Sequence, residues 1–121
     1  MQAVVEVPGQ ARIEALSQSE IEPLEDGDSA LEMRVGKVRT TVLSNAFELR
    51  TPVVRIKGVR GALFDTRVVL DASTTVEVLR GLVEVHSLRV AGKRWIIGKG
   101  KRGHFDTAGG GSIKKIVDKD A

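Results

Sequence analysis

Apolar and polar residues alternate with a period of two, in short runs, along almost the whole chain. Ala3 to Val7, Ala11 to Leu16, Leu31 to Val35, Val38 to Val42 and Phe47 to Arg50 open the series. Val53 to Lys57, Leu63 to Leu70, Thr74 to Leu79, Leu82 to Val85 and Arg94 to Ile97 complete it. This period puts the apolar side chains of a strand on one face, so each run can cover a core on one side only. Turn signals separate the runs: Pro8-Gly9, Gly36-Lys37, Ser44-Asn45, Arg80-Gly81 and Ala91-Gly92, with Glu25 to Asp28 and Asp71 to Ser73. The best helical stretch, Ser17 to Leu31, is broken by Pro23 and Gly27. Short strands about 8–12 residues apart predict an all-β fold. A solenoid-like two-layer stack of short strands and a β-sandwich both fit the alternation.

At 121 residues one domain is expected. The Gly-rich run Ala108 to Ser112 reads as a flexible linker, which gives a domain over 1–107 and a linker with a short tail over 108–121. There is no cysteine, which removes disulfides, thiolate catalysis and sulfur-bound zinc. No apolar run approaches the roughly 20 residues needed to cross a bilayer. The N-terminus lacks the basic start and apolar core of a signal peptide, which fits either a cytosolic protein or, the reading favoured here, a piece of a longer secreted or anchored one.

Charge is uneven. Residues 1–33 hold eight acids and one base, and residues 34–121 hold eight acids and 18 bases. The basic part is densest at Arg89, Lys93, Arg94, Lys99, Lys101 and Arg102, which have no acid between them. That stretch is the candidate site for a polyanion, such as an acidic cell-wall polysaccharide. Nucleic acid is not expected, because one Trp, three Phe and no Tyr make a thin stacking platform. Trp95, among basic residues, reads as core.

No catalytic set assembles. His86 and His104 stand apart, outside any metal-ligand spacing. No G-x-S-x-G elbow is present. Glu25 to Asp28 lacks the full ligand pattern of a calcium loop and reads as a solvated turn. No enzyme activity, metal or cofactor is expected.

The stretch R-T-P-V-V-R-I-K-G-V-R-G-A-L-F-D, Arg50 to Asp65, has two glycines three residues apart. Gly58-Val59-Arg60-Gly61 is too short for a phosphate loop, and a strand pattern follows where a helix is required. The pair is read as bending a strand, with Arg60 buried and tied to carbonyls or to Asp65.

This region resembles the FecR domain, found in the ferric-citrate transport regulator and its relatives. The resemblance rests on Thr51-Pro52, Val59-Arg60-Gly61 and Phe64, and then on V-E-V-L-R-G-L-V-E-V, Val76 to Val85, which includes Gly81. It extends from about Val35 to Gly92. One departure is Ala62, where the family usually has Thr. The resemblance implies an all-β, solenoid-like stack in which Thr51, Pro52, Gly58, Val59, Arg60, Gly61, Phe64 and Gly81 serve the fold. Pro52 is expected at a strand edge or strand start. The resemblance also implies a periplasmic or extracellular module that acts by protein–protein contact. In the founding regulators such a module senses the signalling domain of an outer-membrane transporter and controls a sigma factor. Elsewhere it occurs without any anti-sigma segment, beside cell-wall-binding repeats or linkers, where a scaffolding role is the expectation. A strand edge accepting a partner strand is the expected mode of contact.

Overall fold

The computed structural model describes residues 4–7, 9–16, 20–23, 30–44, 47–69 and 73–115. Twelve strands and no helix occur among them. They are β1 (Val4–Val7), β2 (Ala11–Ala15), β3 (Glu20–Pro23), β4 (Ala30–Val42), β5 (Glu48–Arg50) and β6 (Val54–Gly58). Then follow β7 (Leu63–Val68), β8 (Thr74–Arg80), β9 (Leu82–Ser87), β10 (Arg94–Gly98), β11 (Lys101–Phe105) and β12 (Gly111–Lys115). The all-β expectation therefore holds. The strands make one sheet, ordered β10-β9-β6-β5-β4-β7-β8-β11-β12 with β1 and β2 branching from β4 and β3 pairing beside it, folded into a nearly closed, barrel-like body.

The folding of the sheet follows from where strands change partners. β4 pairs with β3 and β5 through residues up to Val35, and with β2 and β7 from Gly36 onward. Gly36 has φ +114°, so β4 bends there and passes from one layer to the other. Gly36-Lys37, read as a turn between two strands, is instead a hinge inside one strand of 13 residues. The later strands cross at the opposite end of the layers. β6 continues into β7, β8 into β9 and β10 into β11, each through a short corner, and each pair places one strand in each layer. The three arches lie side by side because β7 pairs with β8, β9 with both β6 and β10, and β8 with β11.

The inner faces carry the alternating apolar residues found in the sequence. Val38, Val42, Phe64, Val76 and Val78 from one layer meet Leu49, Val54, Ile56, Val83 and Val85 from the other, all 0–1% exposed. Burying valines and isoleucines of this size is the main stabilising term, about 1.5–3 kcal/mol each. The last gap is closed by side chains. Trp95 of β10 meets Phe105 of β11 edge-to-face at 4.8 Å. Trp95 is half-buried against the core, close to the core position expected for it.

Glycines make that seam possible. A Cβ on Gly103 would lie 2.5 Å from Ile97 Cδ1, and one on Gly111 would lie 2.7 Å from both the Trp95 and Phe105 rings. The glycine-rich run 108–112 is accordingly no linker in the structure. Asp106 to Gly110 form a tight turn, Gly109 has φ +96°, and Gly111 starts β12, which pairs along the whole of β11. The rest of the expected tail, 116–121, and the turn at Glu25 to Asp28 lie outside the described residues.

Candidate functional site

The motif residues build the corner between β6 and β7. Gly58 lacks room for a side chain, since its Cβ would sit 2.6 Å from Val42 Cγ2. Gly61 has open space around it but φ +88°. The corner is tied by Gly61 N–H donating to Val42 O at 2.8 Å and Val42 N–H donating to Ala62 O at 2.9 Å. Phe64 is fully buried beneath it. Gly81 combines both constraints, with φ +79° and a would-be Cβ 3.0 Å from Ala62 Cα. Ala62 is itself completely buried against Gly81, so the missing hydroxyl leaves a small methyl where the two corners stack.

Arg60 is placed differently from the reading of the sequence. It lies exposed at the tip of the corner beside exposed Val59 and Gly61. Asp65, its expected partner, is held by Arg39, whose Nε and Nη2 donate at 2.8 and 3.0 Å. The hydrogen bond and charge of Asp65 raise the Arg39 guanidinium above its ordinary pKa. Arg80 reaches the corner, where its Nε donates to Gly61 O at 3.1 Å. An alternation pattern could not distinguish these arginines, because only strand register puts Arg39 opposite Asp65.

Thr51 and Pro52 form the β5–β6 turn, so Pro52 stands between two strands and begins neither. Thr51 Oγ1 accepts from Val53 N at 3.3 Å and Val54 N at 3.2 Å, and Thr51 N–H donates to Val54 O at 2.9 Å. Proline in the position after such a residue presets the turn. Thr51 Oγ1 also bonds Thr74 Oγ1 at 3.0 Å, linking the two layers.

The six basic residues of 89–102 do not converge. Arg89, Lys93 and Arg94 sit at the β9–β10 turn, with Arg94 3.6 Å from Glu84 on the outside of one layer. Lys99 and Lys101 sit at the far corner of β10, and Arg102 lies on the outside of the other layer, 3.4 Å from Glu77. Lys93 Nζ stands over the Trp95 ring at 5.7 Å. The corner between β10 and β11 sends residues that are close in sequence to opposite faces.

Two surface features were not visible in the sequence. One is an open groove of about 470 Å³ on the outer face of the β4–β7–β8–β11–β12 layer, lined by Lys37, Asp65, Arg67, Thr75, Glu77, Arg102, His104, Ser112 and Lys114. The other is the edge of β10, which among the described residues pairs with β9 alone. Ile96 is 53% exposed there, opposite Glu84, and Leu82 and Val59, 40% and 43% exposed, lie further along on the neighbouring strand and corner. Among the described residues no group of three His, Cys, Asp or Glu side chains is placed to hold a metal. No helix there is long and apolar enough to cross a membrane.

Known proteins share this arrangement. Two crystal structures of a candidate anti-sigma factor from Parabacteroides distasonis ATCC 8503 have the same fold. The one at 1.65 Å resolution has a TM-score of 0.76 at 20% identity and covers 95% of this chain and 56% of its own. The one at 2.50 Å has a TM-score of 0.73 at 19% identity and covers 95% of this chain and 55% of its own. The chain thus spans little more than half the length of these proteins. No curated protein matches it. The FecR protein family matches over residues 1–84, which include the β4 hinge, the Thr-Pro turn and the glycine corners. The chain belongs to the FecR protein family.

Proposed function

We propose that this chain is the non-enzymatic sensor module of a FecR-type regulator, placed in the periplasm or outside the cell, and that it works by protein–protein contact. Membership of the FecR family supports a role in signalling, and the anti-sigma neighbours agree with it. The observation that carries the mode of contact is the β10 edge. Among the described residues it pairs on one side only, and Ile96, Leu82 and Val59 place exposed apolar side chains near it. Exposed apolar strand edges accept a partner strand through backbone hydrogen bonds. The edge at β12 is different, because Lys114 and Lys115 charge it. The partner is a signalling domain of an outer-membrane transporter, the kind of protein the family resemblance implies.

The test is an NMR titration of the labelled chain with such a transporter domain at low and high salt. Strand addition protects the β10 amides from exchange, survives salt and is abolished by Ile96→Lys. Unchanged β10 amides on binding, or a contact that collapses with salt, would contradict the edge as the docking element.

A further inference from the structure

We propose that the groove on the outer face of the β4–β7–β8–β11–β12 layer is a second contact surface, which takes an extended acidic peptide segment of a protein partner. It goes beyond the edge reading, since it uses another face and other chemistry. Its far wall also comes from β11 and β12, outside the region that matches the family.

The strand register arranges its side chains in two rows. One row runs Lys37, Arg67, Thr75, with His104 and Ser112 completing it. The next runs Arg39, Asp65, Glu77, Arg102, Lys114. The lining residues hold four cations, Lys37, Arg67, Arg102 and Lys114, against two carboxylates. Both carboxylates are already engaged. Arg39 holds Asp65 through two hydrogen bonds, and Glu77 faces Arg102 at 3.4 Å. Arg67 and Lys114 make no ion pair among the described residues, and both are exposed. The groove therefore offers positive charge at its two sides, with hydroxyls between. His104 is oriented by its Nδ1 contact to Thr75 Oγ1 at 3.1 Å.

The spacing selects an extended ligand. From β4 to β12 there are four inter-strand steps of about 4.8 Å, so the groove is about 19 Å wide, the reach of about six extended residues. A small anion could contact only neighbouring strands. Within the sheet the interior backbone N–H groups are used in pairing, so anion recognition falls to side chains. With Asp65 and Glu77 engaged by Arg39 and Arg102, the charge left for a ligand lies at Arg67 and Lys114, three strand steps apart, too sparse to match a dense polyanion. An extended peptide fits that spacing, because its carboxylates meet Arg67 and Lys114 while its backbone passes the Thr75 and Ser112 hydroxyls.

The experiment follows labelled-chain amide shifts on adding a blocked peptide of alternating Glu and Ser, six residues long, with the Gln-Ser analogue and tripolyphosphate as comparison probes. Arg67, Thr75, His104 and Lys114 should shift with the Glu-Ser peptide and not with the Gln-Ser one. Arg67→Gln with Lys114→Gln should weaken binding by about tenfold or more, as expected for loss of two charge-assisted contacts. Lys99→Gln with Lys101→Gln, which removes equal charge at the corner, should leave it unchanged, and circular dichroism checks the fold of both variants. Equal loss in both variants would reduce the effect to net charge and overturn the proposal. Tighter binding of tripolyphosphate than of the peptide would also overturn it, in favour of a phosphate site. Ile96→Lys leaves this binding intact, so failure here and failure at the β10 edge are separable.

Discussion

Glycines of positive φ occur at both ends of the barrel, and the ends differ in what accompanies them. At one end β6–β7, β8–β9 and β10–β11 cross between layers, and the crossings contain Gly61, Gly81 and Gly100 with φ +88°, +79° and +81°. At the other end the chain turns back within a layer, and there short polar side chains join the glycines, Gly92 and Gly109 having φ +80° and +96°. Thr51 Oγ1 accepts from Val53 N and Val54 N, Ser87 Oγ from Arg89 N and Val90 N, and Asp106 Oδ1 from Ala108 N and Gly110 N. A change of layer needs a backbone conformation that side chains resist, and glycine supplies it. A return within a layer leaves backbone donors to satisfy, and a hydroxyl or carboxylate supplies the acceptor. The two turns at 87–90 and 106–110 also touch, since a Cβ on Gly109 would lie 2.7 Å from Val90 Cγ2.

This contrast can be broken position by position. The largest effect is expected at Gly81→Val, which forces a β-branched residue to positive φ and drives its Cβ against the Ala62 backbone. A loss of about 3 kcal/mol in chemical denaturation is expected. A variant as stable as the parent would show that the corners do not stack. Next is Thr51→Ala at the polar end. It leaves two backbone donors without their acceptor and the Thr74 hydroxyl without its partner in a buried site, and about 2 kcal/mol should be lost. A double-mutant cycle with Thr74→Val sharpens this, because part of the loss belongs to the Thr51–Thr74 bond and should not add. The smallest is Gly61→Ala, where only the backbone conformation objects. It should lose about 1 kcal/mol, and Gly61→Asn less, since Asn tolerates positive φ. If Ala and Asn were equally harmful, crowding and not conformation would govern that corner.

The end where strands cross between layers was the more legible one. V-R-G and L-R-G interrupt apolar alternation, so their places as corners can be read from one dimension. What each glycine is for could not be read. Gly58 and Gly61 look alike in the sequence, yet one avoids Val42 and the other adopts positive φ. Ser87 and Asp106 gave no signal, because many serines and aspartates lie between strands and only the folded turn shows which backbone N–H groups they meet. The glycines at 109–111 were misleading for the same reason. Composition marks them as flexible, while Trp95 and Phe105, brought over from another strand, need the space they leave. The surface was least legible. The six cations of 89–102 are contiguous in sequence, and a corner divides them. The groove draws Lys37, Arg67, Arg102 and Lys114 from four strands, and only register aligns them. Inner-face residues were readable because one period governs them all, whereas a surface site depends on pairing between distant strands.

The layered arches support every inference drawn from the faces and edges, and proton–proton Overhauser contacts in the labelled chain test them directly. The account predicts contacts between the Ala62 methyl and the Gly81 α-protons at one end, and between the Thr51 and Thr74 side chains at the other. Absence of both sets in a folded, strand-rich sample would contradict it.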